Sequence, residues 1–156
     1  MADIRIIYTR PDGGIAIVAP GLNSKGDGET DAQWIDRVKA ASVPADATNV
    51  HQCLASEITA HPRYRNAWVQ GPDGLPTVDM IKARDVHRDH IRAAREKAWG
   101  QIDLAIRDAS LAGDAAALSV AISRRDALRD ATSDPAIEVA KNPAELELVA
   151  PAGLVL

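Results

Sequence analysis

The chain has 156 residues, enough for one domain or for a domain with a helical extension. Apolar residues at 46% and charged residues at 26% exclude a disordered chain, and 18 basic against 22 acidic residues give a net charge of −4 that is not built for phosphate backbones. Cys53 is the single cysteine, which excludes an internal disulfide and a cysteine-based metal cluster.

Met1 to Arg5 carries no basic region followed by an apolar run, so no secretory signal is expected. The longest apolar run, Ile15 to Pro20, falls far short of a membrane span. Ile4 to Tyr8 is β-branched and aromatic and predicts a strand. Arg10-Pro11-Asp12-Gly13-Gly14 is turn chemistry, and Ile15 to Ala19 predicts the return strand of a hairpin over 4–19. A two-stranded hairpin is marginal alone and must pack on something. Pro20 to Gly28 predicts a flexible or partner-ordered loop, without the glycine and lysine spacing of a phosphate loop.

Thr30-Asp31-Ala32-Gln33 matches a capping box, and Trp34, Ile35, Val38 and Ala41 follow at helical spacing. They predict a helix over 31–42, ended at Val43-Pro44 and placed to cover the hairpin. Residues 49–58 read equally as strand or helix, and a short strand is predicted near 65–69. Gly71 to Pro76 reads as a turn and as a hinge-like connection between a small α+β domain, 1–76, and a helical region, 77–156.

From Thr77 to Asp134 there is no proline. Met80, Ala83, His87, Ile91, Ala94, Ala98, Ile102, Ala105 and Ala109 form one seam of a long helix, about 79–109, with Gly100 a candidate break. Gly113-Asp114 predicts a reversal into a second helix, about 115–130, antiparallel to the first. Asp134-Pro135 and Asn142-Pro143-Ala144-Glu145 each predict a short helix, and Pro151 to Leu156 is an apolar end, frayed or bound to a neighbour. The fold class is therefore α+β.

Candidate chemistry is sparse. His87 and His90, at i and i+3, can share a metal, but no third ligand follows at useful spacing, and an interface histidine is the alternative. Asp85, Asp89, Glu96, Asp103 and Asp108 interleave with Lys and Arg as a solvated helix face does. Arg84, Arg88, Arg92 and Arg95 form a basic stripe that can meet phosphate, diluted by those acids. His61 to Asn66 reads as a recognition loop or as a sheet edge. Cys53 reads as a buried structural thiol, and no serine sits in a nucleophile elbow. Neither an enzyme nor a cofactor is expected.

Arg65-Asn66-Ala67-Trp68, then Val78-Asp79-Met80 with Ala83-Arg84, His87-Arg88-Asp89, Ile91-Arg92 and Ala94-Arg95, stand out as a set. Gly113-Asp114-Ala115, Leu128-Arg129-Asp130 and Pro143-Ala144-Glu145-Leu146 complete it. This set resembles a family of small proteins of bacteriophages and proteobacterial prophages, encoded near tail-fibre genes and similar to tail-fibre assembly proteins. The resemblance extends to the Pro-Asp-Gly-Gly hairpin and the Trp-bearing helix, and so covers most of the chain. It implies a protein that works by contact with a tail-fibre or other tail protein, in the host cytoplasm during assembly or in the virion tail, as a chaperone or as a retained component.

The second helix, about 16 residues, covers only half of the first, about 31 residues, at 1.5 Å per residue. A homo-oligomer, dimer or trimer, or a bound fibre helix is expected to fill the remainder. Met80, Arg84, His87, Ile91, Arg92 and Arg95 are the candidate contact residues, with His87 and Ile91 in the contact itself.

Overall fold

The computed structural model describes residues 3–150 and 154, so the expected behaviour of the Pro151 to Leu156 end lies, apart from Leu154, outside the described residues. The fold is α+β and divides into two compact units, Met1–Asp79 and Met80–Leu156.

In the first unit, β1 (Ile4–Thr9) pairs antiparallel with β2 (Ile15–Val18) through the turn at Arg10–Gly14, where Arg10 N–H donates to the Gly14 carbonyl at 2.8 Å. The ambiguous stretch 49–58 resolves into β3 (Thr48–Leu54), antiparallel on the other side of β1, followed by one 3-10 turn, Ala55–Glu57. Helix α1 (Asp31–Ser42) starts at the capping box: Gln33 N–H donates to Thr30 Oγ1, and Thr30 N–H to Gln33 Oε1. Its Trp34 and Ile35 pack with Ile6 into a core flanked by Ile4, Val18, Val38 and Val43, so the helix covers the hairpin.

Three expectations are corrected here. The loop before α1 is not left to a partner. Glu29 accepts from Gly26 N–H at 2.8 Å and from Arg37 Nε at 2.9 Å, Arg37 also reaches the Ser24 carbonyl, and Trp34 Nε1 donates to Ser24 Oγ. Gly71–Pro76 is not a hinge either. It is the turn of a second hairpin, β4 (Trp68–Gln70) and β5 (Pro76–Val78), closed by Gly71 N–H to the Leu75 carbonyl at 2.8 Å. Gly74 has φ +82°, and a side chain there would press a Cβ to 2.6 Å from the His51 ring, so the turn depends on glycine. The strand predicted near 65–69 starts only at Trp68, because Pro62–Ala67 winds into 3-10 turns opened by Pro62.

In the second unit, α2 (Met80–Ala112) runs unbroken through Gly100 and reverses at Gly113 into α3 (Ala115–Asp130). Asp114 caps α3 by accepting from Ala117 N–H at 2.9 Å. A 3-10 turn, Ala131–Ser133, leads to two short helices, α4 (Ala136–Val139) and α5 (Pro143–Glu147). Asp134 Oδ1 accepts from Ala136 N–H at 2.8 Å, and Asn142 Oδ1 from Glu145 N–H at 2.9 Å, which is the capping chemistry that restarts each helix.

Two outcomes follow. Around Gly100 nothing lies within reach of an added Cβ. Gly100→Ala should therefore raise stability by about 0.5–1 kcal/mol, seen as a higher midpoint in urea unfolding followed by far-UV ellipticity. The Arg37 hydrogen bond, then the Gly26 N–H, hold the Glu29 carboxyl well below its ordinary 4.5, at about 2. Because the folded value is the depressed one, loop anchoring is complete above pH 4.5 and is lost as pH falls through about 2. An NMR titration of the Gly26 amide should track that midpoint, and Glu29→Gln should give the acid-state shift at neutral pH.

Candidate partner-binding surfaces

The basic stripe of α2 faces backbone, not solvent anion. Arg84 Nε donates to the Ile137 carbonyl and its Nη2 to the Ala140 carbonyl, both at 3.1 Å. Arg88 Nε reaches the Thr132 carbonyl at 3.3 Å, while its Nη atoms pair with Asp85 and Glu138. Arg95 Nη1 donates to the Arg129 carbonyl at 3.2 Å, with its guanidinium over the Trp99 ring. Helix ends leave their last carbonyls without intrahelical partners and carry partial negative charge. Three arginines of one α2 face thus close the ends of α3, the 3-10 turn and α4. Arg92 differs: it is exposed and pairs with Asp89 at 2.6 Å.

His87 is buried, and its Nε2 lies 2.7 Å from the Val149 carbonyl. A carbonyl only accepts, so Nε2 carries the proton and donates. Among the described residues no three His, Cys, Asp or Glu side chains converge on a point. Ile91 is also fully buried.

The expected contact through His87 and Ile91 is therefore corrected. The stretch of α2 that the second helix leaves open is taken by the chain's own segment 129–149, which the arginines and His87 grip at both flanks of Ile91. Met80 is half-buried at the start of α2. His87 and Ile91 are covered by the chain itself, while Arg92 stays exposed.

A different surface lies beyond Arg95, which among the described residues is the last of α2 bonded to the returning segment. Beyond it α2 continues to Ala112 and pairs with α3 through small residues, Ala109 and Ala121, with Ile102. This distal hairpin exposes Leu104, Leu111 and Val120, the last two at 81% and 69%. Sequence periodicity missed them because they lie off the seam, on the face that reads as polar.

In the first unit, the free edge of β3 is partly stoppered. The Leu54 N–H donates to Glu57 Oε2 at 2.6 Å, and Gln70 Nε2 donates to the Asn49 carbonyl at 2.8 Å. Side chains that take edge groups oppose strand-to-strand association. Cys53, on the same strand, is buried, and burial pushes its thiol up, with Glu57 adding to the effect, so it holds little thiolate. The His61–Asn66 segment, read as a recognition loop or a sheet edge, winds into 3-10 turns that bury Tyr64, with the Trp68 Nε1 donating to the His61 carbonyl at 3.1 Å.

Among the described residues no helix is long and apolar enough to cross a membrane. No family model, curated protein or solved structure matches the chain.

Arg84 and Arg92 separate the two kinds of arginine. Arg84→Ala removes two charge-assisted bonds and leaves buried carbonyls unpaired, a loss of about 2–4 kcal/mol. Arg92→Ala should change stability by under about 0.5 kcal/mol. Urea unfolding of both variants measures the contrast, and equal effects would contradict the clasp.

Proposed function

We propose that this chain is a tail-module protein of a phage or prophage that works by protein–protein contact, most directly in tail-fibre assembly, with the distal helical hairpin as its contact surface. The observation that carries the contact reading is the exposure of Leu104, Leu111 and Val120 on a two-helix hairpin whose interior is largely alanine. Large aliphatic side chains held in water gain free energy when a partner covers them, about 25 cal/mol per Å² of apolar surface. The setting comes from the resemblance of the Arg65–Trp68, Val78–Arg95 and Pro143–Leu146 motifs to proteins encoded beside tail-fibre genes.

Co-expression with the adjacent fibre protein, followed by pull-down, tests the reading. The wild-type chain should form a complex and raise the soluble fraction of the fibre. Leu111→Asp with Val120→Asp should cut capture at least about tenfold while leaving the thermal midpoint unchanged, since both side chains are exposed. Mass spectrometry of purified virions then separates an assembly factor, absent or trace, from a retained component at fixed copy number. No complex and unchanged fibre solubility would sink the assembly reading.

A further inference from the structure

The first unit carries a pocket of about 370 Å³ lined by Arg10, Gly14, Ile15, Arg65, Asn66 and Trp68. Its two cations are poorly neutralised. The Arg65 guanidinium lies over the Trp68 ring, 5.7 Å from its centroid, and has no carboxylate partner among the described residues. Arg10 has only Asp12, whose Oδ1 stands 3.5 Å from Arg10 Nε and also accepts the Gly14 N–H.

Arg10 lies close to Gly14 on the pocket wall. The Arg10 guanidinium folds across the turn into the space beside Gly14. Asn66 adds an uncommitted amide on the rim, and Ile15 and the buried Trp68 form an apolar wall.

We infer that this pocket binds a single carboxylate carried on a short aliphatic stem. Two guanidinium groups lining one cavity repel each other, and an oxyanion between them relieves that repulsion. The N–H groups of Arg65 lie in the guanidinium plane, so its contact with the indole face leaves them available to a planar, bidentate acceptor. Ile15 and Trp68 take the stem. A polyanion is disfavoured by the chain's net charge of −4, whereas one carboxylate is not. The stem and headgroup match a glutamate side chain of a protein partner or a small free acid. The inference goes beyond the tail-module reading and stands without it.

Titration of the full-length chain, followed by the Arg Nε–H and Trp indole NMR signals, tests it with four probes. These are N-acetylglutamate N-methylamide, its neutral glutamine analogue, propionate and inorganic phosphate. The two carboxylates should give saturable shifts of Arg65 at millimolar concentration. Arg65→Ala should weaken binding at least about fivefold with the remaining spectrum unchanged. Arg65→Lys, which keeps the charge without the planar fork, should weaken it about threefold. Tighter binding of the blocked glutamate assigns the carboxylate to a protein side chain, and equal or tighter binding of propionate assigns it to a free acid. Non-saturating shifts, equal affinity for the glutamine analogue, tighter binding of phosphate, or an affinity untouched by Arg65→Ala would each overturn the assignment.

Discussion

The helical unit depends on one interaction: arginine side chains of α2 donating to carbonyls at the ends of the elements that follow. A helix end buried without partners is costly, and α3, the 3-10 turn and α4 all end against α2. Arg95, Arg88 and Arg84 meet those ends in turn. Each bond joins a fixed cation to an otherwise orphaned acceptor, so the arginines set both the position and the direction of the returning segment. The apolar contribution is correspondingly modest. Ile137 and Leu146 are fully buried, but much of the remaining interior is alanine, and alanine buries little area.

This arrangement explains what was legible from the residues and what was not. Local chemistry is read directly: the Thr30–Gln33 box, the Pro-Asp-Gly-Gly turn, the Gly113-Asp114 reversal and the Asn142 cap each involve atoms within a few residues. The long helix is equally plain from its period. The role of the stripe is not. Arginines spaced along a helix look the same whether their acceptor is a phosphate or a carbonyl 56 residues away, as for Arg84 and Ala140. Misreading Arg65–Ala67 as strand has a similar origin, because Pro62 sets the turn from outside the segment. The length of α2 that α3 leaves unmatched does need cover. That the cover is the chain itself rests on contacts no local pattern contains.

The surfaces left over differ in chemistry. The distal hairpin presents aliphatic side chains over a small-residue interior. The β3 edge is closed to neighbours at two points by Glu57 and Gln70. The Arg10–Arg65 pocket pairs charge with an aromatic wall. Side-chain capping at the two β3 points opposes strand addition along that edge.

The clasp also has a consequence for synthesis. Its bonds span 34 to 62 residues of chain, from Arg95–Arg129 to His87–Val149. On a ribosome adding about 5–20 residues per second, α2 leaves the ribosome before the segment that grips Ile91 and His87. For that interval, on the order of seconds, the face that carries Ile91 stands without its cover. Once residues 129–149 emerge and close over α2, the same face is withdrawn. Delayed translation of this last stretch, by rare codons or a stall, lengthens that exposure without altering a single residue of the folded protein.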